Sequence, residues 1–521
     1  MSRSSRAAKG FATGIVQYAA QILLQALLAP VVLKVAGRET LGAYAAIMQI
    51  LGFIAMVDIV GSWSLERFLG QAMGLEDGGE RFRTVLTTAR TVFIFCNTVF
   101  ALLVFVFSLF IGRLFHLSPE VAHQARLALY VIAVWAIVRT PLAAYLNASV
   151  ATQDLAAVNL IGTGLGIGRA VASLGFVLLG GGLFGLMLAG TTVEACGYFL
   201  YRVRFKKMNP NLMPGWGFRD KALLKEMLGF GGHAVFVNIG NMLVYSSGNA
   251  IAGLTSGAAA TSSFYTTQMP AMTGYRMMQR FADSTTPAIN ELWGRRDVER
   301  MRNALLRITR LLMTLTLPLA IGTLLFNRDL VMAWVGPRQY AGTLLTVSLA
   351  ALCVIASVQR VAIDYSFTFG WMRLLTVTSL LQGIANFGLA FYFAKLFGLG
   401  GITLALAIVI VPQTVILWQR VGRVLQVNVV ALYGECFLRS LVPLSVATLV
   451  GWGLVHRFVS IHKHSFGPLL AEILAFTIVY FALAYIFMLS DQDRGDVKHY
   501  RSIFAHHGKT ASQKLFRSAA S

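Results

Sequence analysis

Four arginines interrupt stretches of chain that are otherwise apolar: Arg139, Arg169, Arg276 and Arg360. A guanidinium stays charged at any physiological pH, and its planar fork of donors matches phosphate oxygens two at a time. Ionisable groups are expensive in hydrocarbon and therefore face a cavity or a partner. The four residues together predict a cationic cavity for an anionic substrate. Structural pairing is the alternative. It is strongest for Arg360, whose i+4 neighbour Asp364 lies on the same helix face, and Arg280 with Asp283 forms a similar i, i+3 pair.

Two polar stripes accompany the arginines. Gln17, Gln21 and Gln25 recur every fourth residue, and Asn238, Asn241, Tyr245 and Asn249 recur at spacings of three or four, so each set occupies one helix face. Amide-rich faces suit sugar hydroxyls, and they serve equally well for hydrogen bonds between helices in a membrane. The intramembrane carboxylates Asp58, Glu194 and Asp364 are candidates for ion coupling or gating, or for pairing with a buried arginine.

The elements that must position these residues are membrane spans. Of 521 residues, 56% are hydrophobic and only 13% charged, and the mean hydropathy is +0.67. No water-facing globular surface is made from such a composition. A span needs roughly 20 apolar residues, and fourteen stretches qualify. Six precede residue 203: Phe11 to Val35, Leu41 to Val60, Thr91 to Ile111, Leu127 to Leu146, Val158 to Leu179 and Leu183 to Tyr201. Six follow: Phe230 to Leu254, Ala259 to Phe281, Leu311 to Phe326, Leu344 to Tyr365, Leu374 to Ala394 and Gly401 to Trp418. Leu441 to Val459 and Leu469 to Met488 complete the set. The first is too long for a signal-peptide core and is expected to remain as an anchor.

The predicted fold is thus all-α and polytopic. Residues 1–203 form one six-helix lobe, 204–226 a basic linker and 227–420 a second six-helix lobe. Residues 421–490 hold two appended helices and 491–521 a polar tail. Of the 44 Lys and Arg, 31 fall on the side of the termini, 9 on the other side and 4 well inside spans, with Lys34, Arg280 and Arg457 at span ends counted with the adjoining connections. The positive-inside rule then predicts cytoplasmic termini. The net charge of +22 follows from topology and carries no implication of nucleic acid; the linker, with Arg204, Lys206, Lys207, Arg219 and Lys221, is expected to lie on anionic headgroups. A weak internal repeat appears at an offset of 219 to 220, pairing Gly10-Phe11 with Gly229-Phe230, Gly37 with Gly257, Tyr44 with Phe264 and Arg90 with Arg310. Arg139 and Arg360 differ by 221. Repeats of six spans have parallel topology and a pseudo-twofold axis along the membrane normal, with a site between them.

Several chemistries are excluded or unsupported. Four cysteines, Cys96, Cys196, Cys353 and Cys436, all in or beside apolar stretches, make no disulfide framework. Gly162, Gly164, Gly166 and Gly168 resemble a nucleotide loop but lie inside a span, where close helix packing explains them. Asp491-Gln492-Asp493 sits in the polar tail. There is no Walker A lysine, HExxH or GxSxG motif. No connection on the far side of the membrane exceeds roughly fifteen residues, too short for an outward catalytic domain.

Short motifs resemble one membrane superfamily. They are Asp58-Ile59-Val60-Gly61 followed by Glu66-Arg67-Phe68-Leu69, with Gly61 one residue later than the commonest spacing; Pro287-Ala288-Ile289 before a basic helix; Pro318-Leu319-Ala320; Trp334-Val335-Gly336 leading to Tyr340-Ala341; and Phe397-Gly398-Leu399-Gly400-Gly401. With the span count they resemble the Wzx-type polysaccharide-unit flippases of the multidrug/oligosaccharidyl-lipid/polysaccharide exporter superfamily. The resemblance implies alternating access between two six-helix lobes. It implies transfer of an undecaprenyl-diphosphate-linked oligosaccharide to the periplasmic leaflet of a bacterial inner membrane, for O-antigen, exopolysaccharide or capsule. It carries Asp58 and Arg67 over by position. It further implies a monomer without cofactor, working beside membrane lipids, a polysaccharide polymerase and glycosyltransferases. A cation-coupled multidrug exporter and a lipid-linked peptidoglycan-precursor flippase are the alternatives within the superfamily.

Overall fold

A computed structural model describes residues 26–56, 65, 68–73, 79–152, 154–215, 220–458, 466–489 and 494–495. Among them every regular element is helical. In chain order the helices are α1 (Ala26–Val35), α2 (Gly37–Ile54), α3 (Glu80–Leu114), α4 (Pro119–Ala151), α5 (Leu155–Leu178), α6 (Gly182–Met208) and α7 (Lys221–Tyr245). Then come α8 (Gly248–Gly294), α9 (Val298–Val335), α10 (Thr343–Thr368), α11 (Met372–Phe397), α12 (Leu399–Leu425), α13 (Val429–Phe458) and α14 (Phe466–Phe487). Ten of them are long and apolar enough to cross a membrane: α3 to α6 and α9 to α14. The protein is therefore a multi-pass membrane protein. Most of the first expected span lies outside the described residues.

Several helices start earlier than the expected spans, α3 at Glu80, α9 at Val298 and α13 at Val429, and one expected span is divided. The stretch Phe230 to Leu254 is not a single helix: α7 ends at Tyr245 and α8 begins at Gly248. Within α8 the backbone breaks at Gly257, where φ is 79° and ψ 172°. Gly37, at the junction of α1 and α2, has φ of 84°. The two glycines are the pair related by the repeat offset. Each follows a short helical piece and opens a longer helix, a left-handed junction that a side chain disfavours. The starts of α3 to α6 recur in the starts of α9 to α12 at shifts of 217 to 224 residues, so the repeat extends through the element boundaries.

Helix ends are closed by side chains reached across the fold. Glu39 Oε1 accepts the Ser118 N–H at the start of α4 (2.5 Å). Gln124 Oε1 accepts from Leu183 at the start of α6 (2.8 Å), and Gln49 Oε1 from Ala250 at the start of α8 (2.7 Å). Such acceptors satisfy donors that have no intrahelical partner and no water in a bilayer.

By packing, the chain divides into two compact units. One comprises Met1–Met269, Val331–Ser348 and Met372–Gln413; the other Pro270–Leu330, Leu349–Trp371 and Thr414–Ser521. In the first unit α3 packs on α4, α4 and α5 on α6, and α7 on α11. One core gathers Ile47, Phe100, Val104, Leu129 and Met187, and another Leu65, Phe82, Leu86, Tyr145 and Phe205. Backbones meet at small residues: a β-carbon on Gly42 would run into the carbonyl oxygen of Ala258, and one on Gly240 would lie 2.7 Å from the carbonyl carbon of Ser379. In the second unit α13 packs on α14, and Met313, Leu317, Leu432 and Cys436 form a core between α9 and α13.

Candidate functional site

The first unit encloses a cavity of about 280 Å³, at the lower edge of the roughly 300–1,000 Å³ common for ligand sites. Helical periodicity builds its walls. Helix α2 contributes Tyr44, Met48 and Leu51; α4 contributes Ile132, Trp135 and Arg139; α6 contributes Leu186, Gly190 and Glu194. Each triplet recurs at three or four residues and so occupies one face. Phe100 of α3 and Arg169 of α5 complete the charged side.

Arg139 is held in place from several directions. Its Nε donates to Asn97 Oδ1 at 2.9 Å and its Nη1 to Glu194 Oε1 at 2.8 Å. The guanidinium carbon lies 5.4 Å from the Phe100 ring centre and 6.0 Å from that of Tyr198, within cation–π range. Its side chain is 11% exposed and that of Glu194 32%. Arg169 is different: among the described residues it makes no ion pair. It stands where α6 carries glycine, its Nε 4.0 Å from the position a β-carbon on Gly190 would take. Among the described residues that line it, two guanidiniums stand against one carboxylate, a net positive charge. The Trp135 indole N–H, also of the lining, is buried without a hydrogen-bond acceptor. Cation and donors facing one space can bind an oxyanion.

The second unit holds an acidic counterpart. Arg360 Nη2 lies 2.6 Å from Asp283 Oδ1 and 2.8 Å from Asp364 Oδ1, and Arg360 Nε donates to Asp364 Oδ2 at 3.1 Å. Two carboxylates thus share one guanidinium. The i+4 pairing of Arg360 with Asp364 is present, and Asp283 joins it from α8. Arg276 is exposed on α8 and makes no ion pair among the described residues.

The structure thus brings Arg139, Arg169 and Glu194 to one cavity and Arg360 with Asp364 to another cluster. Asn241 and Tyr245 are exposed on α7, outside that cavity's lining, and of Asn238 only the helical backbone is described. Gln17, Gln21, Gln25, Asp58 and Arg67 lie outside the described residues. Asn97, Trp135 and Tyr198 escaped the sequence reading, as did the pairing of Asp283 with Arg360. Asn97 carried the clearest signal, as the one amide in the apolar run Thr91 to Ile111.

Ten helices long and apolar enough to cross a membrane, with this cavity in the first unit, define a polytopic all-α membrane fold. The fold is shared with a solved lipid II flippase, MurJ, in its inward closed conformation: the TM-score is 0.69 at 13% identity, covering 92% of this chain and 98% of that one. An inward-facing multidrug resistance MATE family transporter of the MOP superfamily matches at TM-score 0.62 and 14% identity, over 78% of this chain and 94% of that one. A MATE complex with MaD3S matches at 0.57 and 14%, over 80% and 96%. No curated protein matches the chain by sequence. Residues 37–344 match the family described as polysaccharide biosynthesis protein, and the chain belongs to that family.

Proposed function

We propose that the protein is a flippase that moves undecaprenyl-diphosphate-linked oligosaccharide units from the cytoplasmic to the periplasmic leaflet for surface polysaccharide assembly. The observation that carries this reading is the cavity in which Arg139 is locked by Glu194 and Asn97 while Arg169, among the described residues, makes no ion pair. Membership in a polysaccharide biosynthesis family supports a glycan-linked cargo. In this reading Arg169 and Arg139 meet the diphosphate and polar helix faces, including Asn238, Asn241 and Tyr245, meet the glycan. The lipid tail stays in the bilayer. The two six-helix repeats alternate access, Arg276 and Arg360 belong to the same transport path, and Asp58, Arg67, Glu194 and Asp364 serve coupling or gating. The protein acts as a monomer in a bacterial inner membrane with cytoplasmic termini, beside a polymerase and glycosyltransferases.

The test is deletion of the gene followed by analysis of lipid extracts with a membrane-impermeant probe. Completed lipid-linked units trapped on the cytoplasmic face, and released by the wild-type gene, are the expected result. Unchanged lipid-linked pools with normal surface glycan, in a strain with no second flippase, overturn it. Trapped peptidoglycan precursor instead would move the cargo to that lipid, which shares the diphosphate.

A further inference from the structure

Helix α14 is apolar along almost its whole length, yet one carboxyl sits in its packed face. Leu469, Glu472, Phe476, Tyr480 and Ala484 are its buried residues, a three-and-four spacing that defines one stripe. Glu472 is 3% exposed, and neither of its carboxyl oxygens has a hydrogen-bond partner. The sequence reading, which took only Asp58, Glu194 and Asp364 as clear intramembrane carboxylates, passed over it.

The neighbours of this turn are apolar or acidic. Phe476, one turn along, packs edge-to-face on Phe326 of α9 with ring centres 5.6 Å apart. From α13, Gly451 abuts both rings: a β-carbon there would lie 3.1 Å from Phe326 and 3.5 Å from Phe476. Asp329 of α9 is the charged group whose field acts on Glu472. The stretch of α13 from Ser440 to Gly451 contains no titratable side chain, and the next one on α14 is Tyr480, two turns on. Among the described residues no cation pairs with Glu472.

An ionised carboxylate is untenable in such a place, because it lacks donors, faces hydrocarbon and feels a second negative charge. A hard metal cation is disfavoured too, since it takes about six or more oxygen ligands and among the described residues no group of three or more metal-ligating side chains comes together. A single proton removes the charge and needs no shell.

We propose that Glu472 is a proton-binding site, loaded in this conformation. When α9, α13 and α14 part enough to admit water, the carboxyl O–H bond breaks, the proton passes to water and the carboxylate remains on Glu472. The site lies in a helix outside both six-span repeats and is separate from the Arg139–Arg169 cavity. That its proton drives cargo movement rests on the transport reading above; that it binds a proton does not.

The experiment is infrared difference spectroscopy of the full-length protein in lipid nanodiscs across a pH series. Expected is a protonated-carboxyl C=O band that persists at neutral pH, shifts in deuterium oxide, is lost in Glu472→Gln and is kept in Asp329→Asn. A band unchanged in Glu472→Gln, no band at neutral pH, or a band abolished by sodium alone overturns the proposal. If Glu472→Gln does not fold, Glu472→Asp keeps the acid, and displacement of the band makes the same assignment. In proteoliposomes, Glu472→Gln should reduce stimulation of translocation by a pH gradient to one-fold while undecaprenyl diphosphate still binds; undiminished stimulation overturns the driving role. A wild-type band with no glycan-lipid translocation keeps the proton site and removes the cargo reading. Translocation without the band does the reverse.

Discussion

Arg139 and Arg169 line the same cavity, but their surroundings predict opposite consequences when each is replaced by glutamine. Arg169 has no ion-pair partner among the described residues, so Arg169→Gln strands no charge and should change stability by no more than about 0.5 kcal/mol. A charge-assisted hydrogen bond to a phosphate is worth about 1.5–3 kcal/mol. Losing it should weaken binding of undecaprenyl diphosphate by about 10- to 150-fold. Arg139→Gln strands Glu194 and leaves Asn97 Oδ1, on a fully buried residue, without its donor. Breaking a fully buried ion pair costs about 3–5 kcal/mol, and the 32% exposure of Glu194 discounts this to about 1–3 kcal/mol. The double variant Arg139→Gln/Glu194→Gln should recover much of that stability without recovering binding. Thermal unfolding in detergent and a binding titration with undecaprenyl diphosphate read the two effects separately. If Arg169→Gln melts as early as Arg139→Gln, or binds the diphosphate lipid as the wild type does, the division into a held arginine and a ligand-facing arginine is wrong.

Gly42→Val should prevent accumulation of folded protein, because the side chain collides with the backbone of Ala258; Gly70→Ala, with nothing within 4 Å of the new carbon, should accumulate normally on a membrane immunoblot. Arg360→Ala should cost about 3 kcal/mol by leaving Asp364, whose side chain is 6% exposed, beside Asp283. Arg360→Ala/Asp364→Asn should melt later than the single variant. Arg276→Ala should abolish glycan export while the protein still accumulates, and Arg276→Lys should keep part of it if charge rather than bidentate geometry matters; normal export from Arg276→Ala would take that residue out of the transport path. Asp220 caps α7 by accepting the Leu223 N–H and then pairs with Arg81, and these hold its carboxyl below the usual range. A depressed carboxyl stabilises above its unfolded value of about 4, and the benefit is lost as pH falls through the folded value. Asp220→Ala should therefore lower the melting temperature at neutral pH, with the gap closing in strong acid.

The class of fold was legible in the residues themselves, since long apolar runs in a chain with few charges can only be satisfied as helices in a bilayer. The repeat was legible too, and its Gly37 and Gly257 both adopt a positive φ that only a special residue favours. The pairing of Arg360 with Asp364 could be read because both lie on one helix, one turn apart. Everything that crosses between helices needed the tertiary structure. Glu194 finds Arg139 from 55 residues away and Asp283 finds Arg360 from 77, while Arg169 makes no ion pair among the described residues. A lipid-facing surface is as apolar as a packed one, so hydropathy does not say which side of α4, α6 or α14 meets a neighbour. That is why Asn97 and Glu472 were passed over: their buried positions depend on which helix lies against theirs, and that is decided by close packing at residues such as Gly42 and Gly451 rather than by the period of the sequence.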